Sequence, residues 1–293
     1  MFKKTFKVAL TLFFLSSGII AASERGAFPA IGVGARALSM GGAFVALADD
    51  ADATYWNPAG LAQLQSRQLS STQSDLLGLG INYNWLSFVQ PLKNDLAVGA
   101  AWQSLDASAA FGSFPYREGK YLLSFAKGQT SMKNKELLWG VNLKYNFFAG
   151  GDESLNIKER GLGIDAGVQF RINPKLNLGL AARDVFANLT GTVEEDGTAR
   201  KSKSSLATDL TVGIAWQEPK TVFTCDLSEI CNSLKFRAGV EYRVTDSLRL
   251  RAGYGAGAYT GGIGIRASLY TADYAYIVQE SGDAQRISIG FTF

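Results

Sequence analysis

From about Arg67 onward, apolar and polar residues alternate with a period of two. Leu137, Trp139, Val141, Leu143, Tyr145 and Phe147 alternate with Gly140, Asn142, Lys144 and Asn146. Leu162, Ile164, Ala166, Val168, Phe170 and Ile172 alternate with Gly163, Asp165, Gly167, Gln169 and Arg171. Leu234, Phe236, Ala238, Val240, Tyr242 and Val244 do so with Lys235, Arg237, Gly239, Glu241 and Arg243. Strict alternation is the signature of strands with two unlike faces. The runs span about 10–12 residues, longer than the ~5–6 of globular strands and suited to a tilted bilayer crossing. Aromatic residues near the run ends, such as Tyr145, Phe147, Trp216, Tyr242, Tyr254, Tyr259, Tyr274 and Tyr276, fit interfacial girdles. Charges such as Arg249 and Arg251 on the polar face fit a wet interior.

The pattern predicts about fourteen antiparallel strands, as in transmembrane barrels of even strand number. They begin near residues 67, 80, 95, 119, 136, 159, 175, 205, 220, 233, 247, 259, 271 and 284. Pro91–Asp95, Asn173–Lys175, Glu218–Lys220 and Thr245–Ser247 read as tight turns. Asp106–Gly119, Gly150–Glu159, Phe186–Ser204 and Glu280–Ala284 read as longer loops. Turns on one side and loops on the other is the asymmetry of an outer-membrane barrel. The C-terminal run, with Ile287, Ile289, Phe291 and Phe293 alternating with Arg286, Ser288, Gly290 and Thr292, resembles the strand read by the outer-membrane barrel assembly machinery.

The N-terminus gives the route of export. Lys3, Lys4 and Lys7 precede the mostly apolar Val8–Ile20, and Ala21-Ala22-Ser23 offers a cleavage site before Glu24. The expected organisation is a signal peptide over 1–23, a non-alternating segment over 24–66, and a barrel over 67–293 in the outer membrane, bathed in its lipids. No later run approaches the ~20 apolar residues of a spanning helix. The net charge of +3 is too small to imply nucleic acid, and the chain has no histidine, which removes His-dependent triads and His-ligated zinc or haem. No enzyme and no cofactor is expected. Cys225 and Cys231 are spaced for a short-loop disulfide or for two free thiols in one hairpin.

Gly34–Leu61, GARALSMGGAFVALADDADATYWNPAGL, does not alternate. Each interior Gly costs a helix ~1 kcal/mol relative to Ala, yet small residues permit close backbone approach. Asp49, Asp50 or Asp52 is placed to cap a short helix at Asp52–Trp56, and Asn57-Pro58 to start another with Asn as cap. The expected role is a compact helical plug lining or closing the lumen. GARALSMGGAFVALADDADATYWNPAGLA resembles the N-terminal motif of the long-chain fatty acid transporter (FadL) superfamily, and its form is most similar to the PorV/PorQ-like branch. The resemblance implies a fourteen-stranded outer-membrane barrel with an N-terminal plug, Asn57, Pro58, Ala59 and Gly60 matching the shared NPAG element. For the PorV-like branch it implies a role accessory to protein secretion or surface attachment, with secretion-system proteins as partners. For the transporter branch it implies a passive channel for hydrophobic molecules such as fatty acids.

Three further features carry chemistry. Asp49, Asp50 and Asp52 offer carboxylates to a hard cation, but capping and pairing with lumen arginines is the simpler use. Gly32–Ala37 mimics a dinucleotide fingerprint without the strand that must precede one. The inward face of the last strands forms a basic wall of Lys235, Arg237, Arg243, Arg249, Arg251, Arg266 and Arg286. That wall either attracts an anionic head group or holds the plug through ion pairs, and the ion-pair reading is preferred.

Overall fold

The computed structural model describes residues 31–76, 80–109, 115–131, 135–151, 154–230, 233–280 and 282–293. The expected signal peptide, 1–23, lies outside them, as do Glu24–Ala30. The alternating runs form β1 (Gln68–Leu76), β2 (Ile81–Pro91), β3 (Leu96–Asp106), β4 (Tyr116–Ser131), β5 (Lys135–Gly151), β6 (Leu155–Asn173) and β7 (Leu176–Glu195). They continue as β8 (Thr198–Ser205), β9 (Asp209–Gln217), β10 (Thr221–Ile230), β11 (Ser233–Arg243), β12 (Leu248–Gly255), β13 (Ala258–Arg266), β14 (Tyr270–Val278) and β15 (Ala284–Thr292). Every described pairing is antiparallel. β1 pairs with both β2 and β15, and β7 with both β6 and β9, so fourteen strands close into a barrel. Closure leaves no unpaired edge in the apolar belt, the condition for crossing a bilayer with strands.

The two faces divide as the alternation requires. On β2, Tyr83, Trp85, Ser87 and Val89 are buried inside while Leu86 and Phe88 are exposed outside. Two rings of aromatics bound the exposed apolar belt. Phe88 with Phe293, Phe125 with Trp139, and Tyr270 with Phe291 mark the turn end; Tyr121 with Phe147 and Tyr254 with Tyr259 mark the other. The seam is closed beyond β15 as well, because Arg67 and Phe293 exchange backbone hydrogen bonds of 3.0 Å each.

Two expected loops are strand instead. Gly150–Glu159 and Phe186–Ser204 are largely taken up by β5–β8, which rise past the barrel rim as an extended sheet. β7 first pairs with β9 through Arg183, then with β8 from Asn188 onward. The handover is a bulge in which Arg183–Val185 of β7 face the single Asp165 of β6, and Asp184 takes φ +55°. β8, TARKSKSS, has no apolar face to betray it, so only its pairing with β7 makes it a strand.

Cys225 is a free thiol on β10. Cys231, and with it the expected Cys225–Cys231 pair, lies outside the described residues.

The lumen is filled by residues 31–64, almost all buried. They form α1 (Ala35–Ser39), turns, α2 (Ala53–Trp56) and a 3-10 helix (Pro58–Gln63). The wall answers with glycine wherever the plug backbone comes closest. A Cβ on Gly140 would lie 2.6 Å from the amide nitrogen of Ala59, and one on Gly239 2.8 Å from the Cα of Met40. Neither obstacle is a flexible side chain that could step aside.

Gly140→Val is therefore expected to cost about 1–3 kcal/mol in unfolding free energy, the range for overpacking a filled interior. Gly261→Val, whose new Cβ meets only Arg251 O at 3.8 Å, is expected to change stability by less than ~0.5 kcal/mol. Urea unfolding of the two variants in detergent checks the contrast; equal losses would show that the approach at Gly140 is not limiting.

Candidate functional site

A segment of short helices and turns, buried in a lumen, leaves many backbone groups to satisfy. Wall side chains from strands all around the barrel satisfy them. Asp226 Oδ2 on β10 accepts from the amides of Phe44 (2.8 Å) and Val45 (2.9 Å). Gln169 Nε2 on β6 donates to Val45 O at 3.1 Å, and Asn142 Nδ2 on β5 to Thr54 O at 2.8 Å. Ser288 Oγ on β15 accepts from Ala35 N at 2.7 Å, and Tyr83 OH on β2 donates to Gly32 O at 2.8 Å. Thr260 Oγ1 on β13 accepts from Gly41 N and donates to Ser39 O, both at 3.0 Å.

The NPAG element works through Asn57. Its Oδ1 accepts from Ala59 N at 3.1 Å, capping the 3-10 helix with Pro58 at the first helical position. Its Nδ2 donates to Val45 O (2.9 Å) within the plug and to Val168 O (3.2 Å) on the wall. One side chain thus ties two plug turns to β6. Ala59 and Gly60 are buried, and Gly60 is obligatory because a Cβ there would overlap Ala48 O.

The three aspartates are engaged differently from the sequence expectation. Asp52 occupies the cap position of α2 without a side-chain cap; its Oδ1 accepts from Trp85 Nε1 at 2.8 Å. Asp50 Oδ1 instead accepts from Asp52 N at 3.1 Å. Asp49 and Asp50 pair not with wall arginines but with the plug's own Arg36, at 2.6 and 2.9 Å. Arg36 continues to Glu241 on β11 (3.1 Å), Glu241 to Arg251 on β12 (2.6 Å), and Arg251 to Asp273 on β14 (2.7 Å). The carboxylates that bond the plug from this wall are Glu241 and Asp226; Arg251 stands behind Glu241, and the Arg237 stem packs beside Gly42.

The members of the expected basic wall separate accordingly. Arg237, Arg251 and Arg286 are buried; Lys235, Arg243 and Arg249 are half-buried; Arg266 is exposed at the turn end. Arg237 donates to Ser228 Oγ at 2.6 Å, and Arg286 to Ser74 Oγ at 2.7 Å while lying over the Tyr83 ring. Arg243 donates to Pro219 O at 2.6 Å. Arg249 and Arg266 border a cavity of about 450 Å³ between Asp49–Asp52 and β12–β15, open toward the turn end.

Sequence reasoning missed a second ionic group, under the bulge. Lys144 bridges Asp165 and Asp184, each at 2.5 Å, and Asp184 N donates to Asp165 Oδ1 at 2.8 Å. Beside it Arg183 pairs with Asp209 and stacks over Tyr55 (4.8 Å) and Trp56 (5.8 Å) of the plug. The alternating pattern placed Lys144 and Asp165 inside, but not the shift in register that adds Asp184. Opposite this group, Ile81, Leu105, Tyr116, Ile277 and Ala284 form an apolar patch in the outer half of the lumen, beside the buried Gln103, Glu118 and Arg286. Among the described residues no cluster suited to a metal occurs, and the aspartates lie with Arg36 rather than around a cation position.

This geometry has close counterparts among solved structures. The Ralstonia pickettii toluene transporter TbuX superposes with a TM-score of 0.65 at 16% identity, over 91% of this chain and 100% of that one. The monoaromatic hydrocarbon channel CymD gives 0.68 at 14% identity, over 91% and 99%. A Pseudomonas aeruginosa FadL homologue gives 0.58 at 12%, over 86% and 95%. The fold is the FadL-type barrel. No protein-family model and no curated protein sequence matches the chain, so its likeness to FadL-type barrels is one of architecture.

Two outcomes follow for the seat. Arg36→Gln strands Asp49 and Asp50 and is expected to destabilise the plug by about 3–5 kcal/mol, the cost of breaking a buried charge group. The check is urea-dependent protease cleavage within 31–64. Burial first, and then the charge of Asp52, push Asp50 from 3.8 up to about 7, against the opposing pull of Arg36. Burial also raises Asp52, opposed by its bond from Trp85. An acid whose value is raised in the seated plug favours seating when protonated. That contribution is complete below 3.8 and fades as pH rises through about 7. Protease resistance of the plug should be greater at pH 5 than at pH 8, and Asp50→Asn should shrink the difference.

Proposed function

We propose that the protein is a passive outer-membrane channel for hydrophobic small molecules, with residues 31–64 as its gate. The observation that carries this reading is a lumen whose outer half holds an apolar patch of Ile81, Leu105, Tyr116, Ile277 and Ala284 beside buried polar groups such as Gln103, Glu118 and Arg286, and whose inner half is stoppered by a polar-anchored plug. An apolar solute would shed water on entering the outer half. It would pass only when the plug shifts, because the plug backbone packs against wall glycines on several sides. Two of the barrels it resembles are described as a toluene transporter and a monoaromatic hydrocarbon channel, which favours this reading over a secretion accessory. The reading is non-enzymatic, in keeping with neighbours described as transporters and channels.

A PorV/PorQ-like secretion role, with exported proteins as partners, keeps one support, the form of the N-terminal motif. Assembly through the strand ending at Phe293 is common to both readings. Thr54 Oγ1 of the plug lies 3.0 Å from Ser87 Oγ of β2, which permits a reversible lock. In a Cys225→Ser, Cys231→Ser background, Thr54→Cys with Ser87→Cys should form a disulfide that pins the gate. Cells relying on this protein for toluene or oleate uptake should lose uptake when oxidised and regain it on reduction. Uptake indifferent to both the lock and deletion of the protein, with loss of secreted proteins in the deletion strain, would replace the channel by the secretion role.

A further inference from the structure

We propose that the outward face of the β6–β8 extension binds the phosphorylated headgroups of glycolipids in the outer leaflet. The inference rests on the outer-membrane placement above, but not on the nature of the transported solute.

Strand register sorts this face into rows. Leu143, Ile164 and Phe186 lie in the exposed apolar belt, and the next row outward holds Tyr121, Tyr145 and Leu162 beside Asn188 and Ser205. Tyrosines at that level mark the boundary between acyl chains and headgroups. The row after it places Arg160, Thr190 and Lys203 side by side, and the next Lys158, Thr192 and Lys201. All four cations are exposed on the lipid side, while Glu159 between Lys158 and Arg160 turns inward to accept from Ser202 and Ser204. With strands ~4.8 Å apart and ~6.7 Å between like-facing rows, the four Cα atoms frame roughly 10 by 7 Å.

No ion pair among the described residues neutralises these cations; the nearest carboxylate on the face is Glu194, a row farther out, opposite Ala199. Protection of a free edge explains lysines on β8, which pairs only with β7 among the described strands. It does not explain Lys158 and Arg160, because β6 is paired on both sides. Threonine hydroxyls between the cations add donors of the kind a phosphate accepts. Facing the bilayer just above its aromatic ring, the patch meets headgroups of the same leaflet rather than a solute in the lumen.

The test uses the full barrel in phosphatidylcholine nanodiscs, with and without diphosphoryl lipid A. Lipid A should raise the unfolding temperature of the native protein, and monophosphoryl lipid A should raise it less. The variant Lys158→Gln, Arg160→Gln, Lys201→Gln, Lys203→Gln should lose the response, with at least a tenfold weaker apparent affinity. Neutralising four turn-end lysines, Lys93, Lys127, Lys175 and Lys220, should leave the response intact and so controls for net charge. The proposal is overturned if native protein does not respond, if the four-residue variant responds fully, or if soluble dextran sulfate alone binds with that four-residue dependence. Toluene uptake by the same variant reports separately on the channel, and membrane fractionation on the placement, so each reading fails on its own measurement.

Discussion

Everything inside this barrel follows from one constraint: a segment of short helices and turns is buried, and its backbone polar groups must be met by something other than water. Short helices cannot do it alone, since each leaves its terminal N–H and C=O groups open. The wall supplies the partners from β2, β5, β6, β10, β13 and β15, with Asp226 taking two consecutive amides. Such contacts require backbone to approach backbone. That requirement accounts for the plug's small residues and equally for wall glycines at 140, 179, 239 and 253.

The ionic groups sit at the two margins of this contact. Near the turn end, Arg36 collects Asp49, Asp50 and Glu241, and passes charge to Arg251 and Asp273. Toward the other end, Lys144, Asp165 and Asp184 fill the space opened by the bulge, with Arg183 laid over the plug's aromatics. Buried ion groups contribute more to geometry than to net stability, because desolvation offsets much of their attraction. Their value here lies in holding the plug at one depth and rotation. They act together with a buried apolar cluster in which Leu38, Phe44, Trp56 and Leu61 of the plug meet Trp85, Leu122 and Leu138 of the wall.

Outside, the same register that aligns the lumen sorts the lipid-facing surface. A row of tyrosines ends the apolar belt, and the basic rows stand directly beyond it on the strands that overrun the rim. Strand extension thus has a use besides loop replacement, since it carries side chains at a fixed height above the membrane.

The barrel was legible in the sequence because a strand with one face in lipid and one in a wet lumen must alternate, and runs with that property over-determine their own pairing. Most strand starts, the tight turns, the inward set from Lys144 to Arg251 and the cap role of Asn57 come from residue order. Where chemistry does not repeat, residue order is silent. β8 is polar on both faces, and only the neighbouring β7 makes it a strand. The bulge that inserts Asp184 shifts register by geometry that no single residue type announces. The partners of Asp49, Asp50 and Asp52 were decided by the depth at which the plug settles, which set Arg36 and Trp85 nearer than any wall arginine. Periodicity fixes which side chains face inward; three-dimensional proximity alone selects which of them meet.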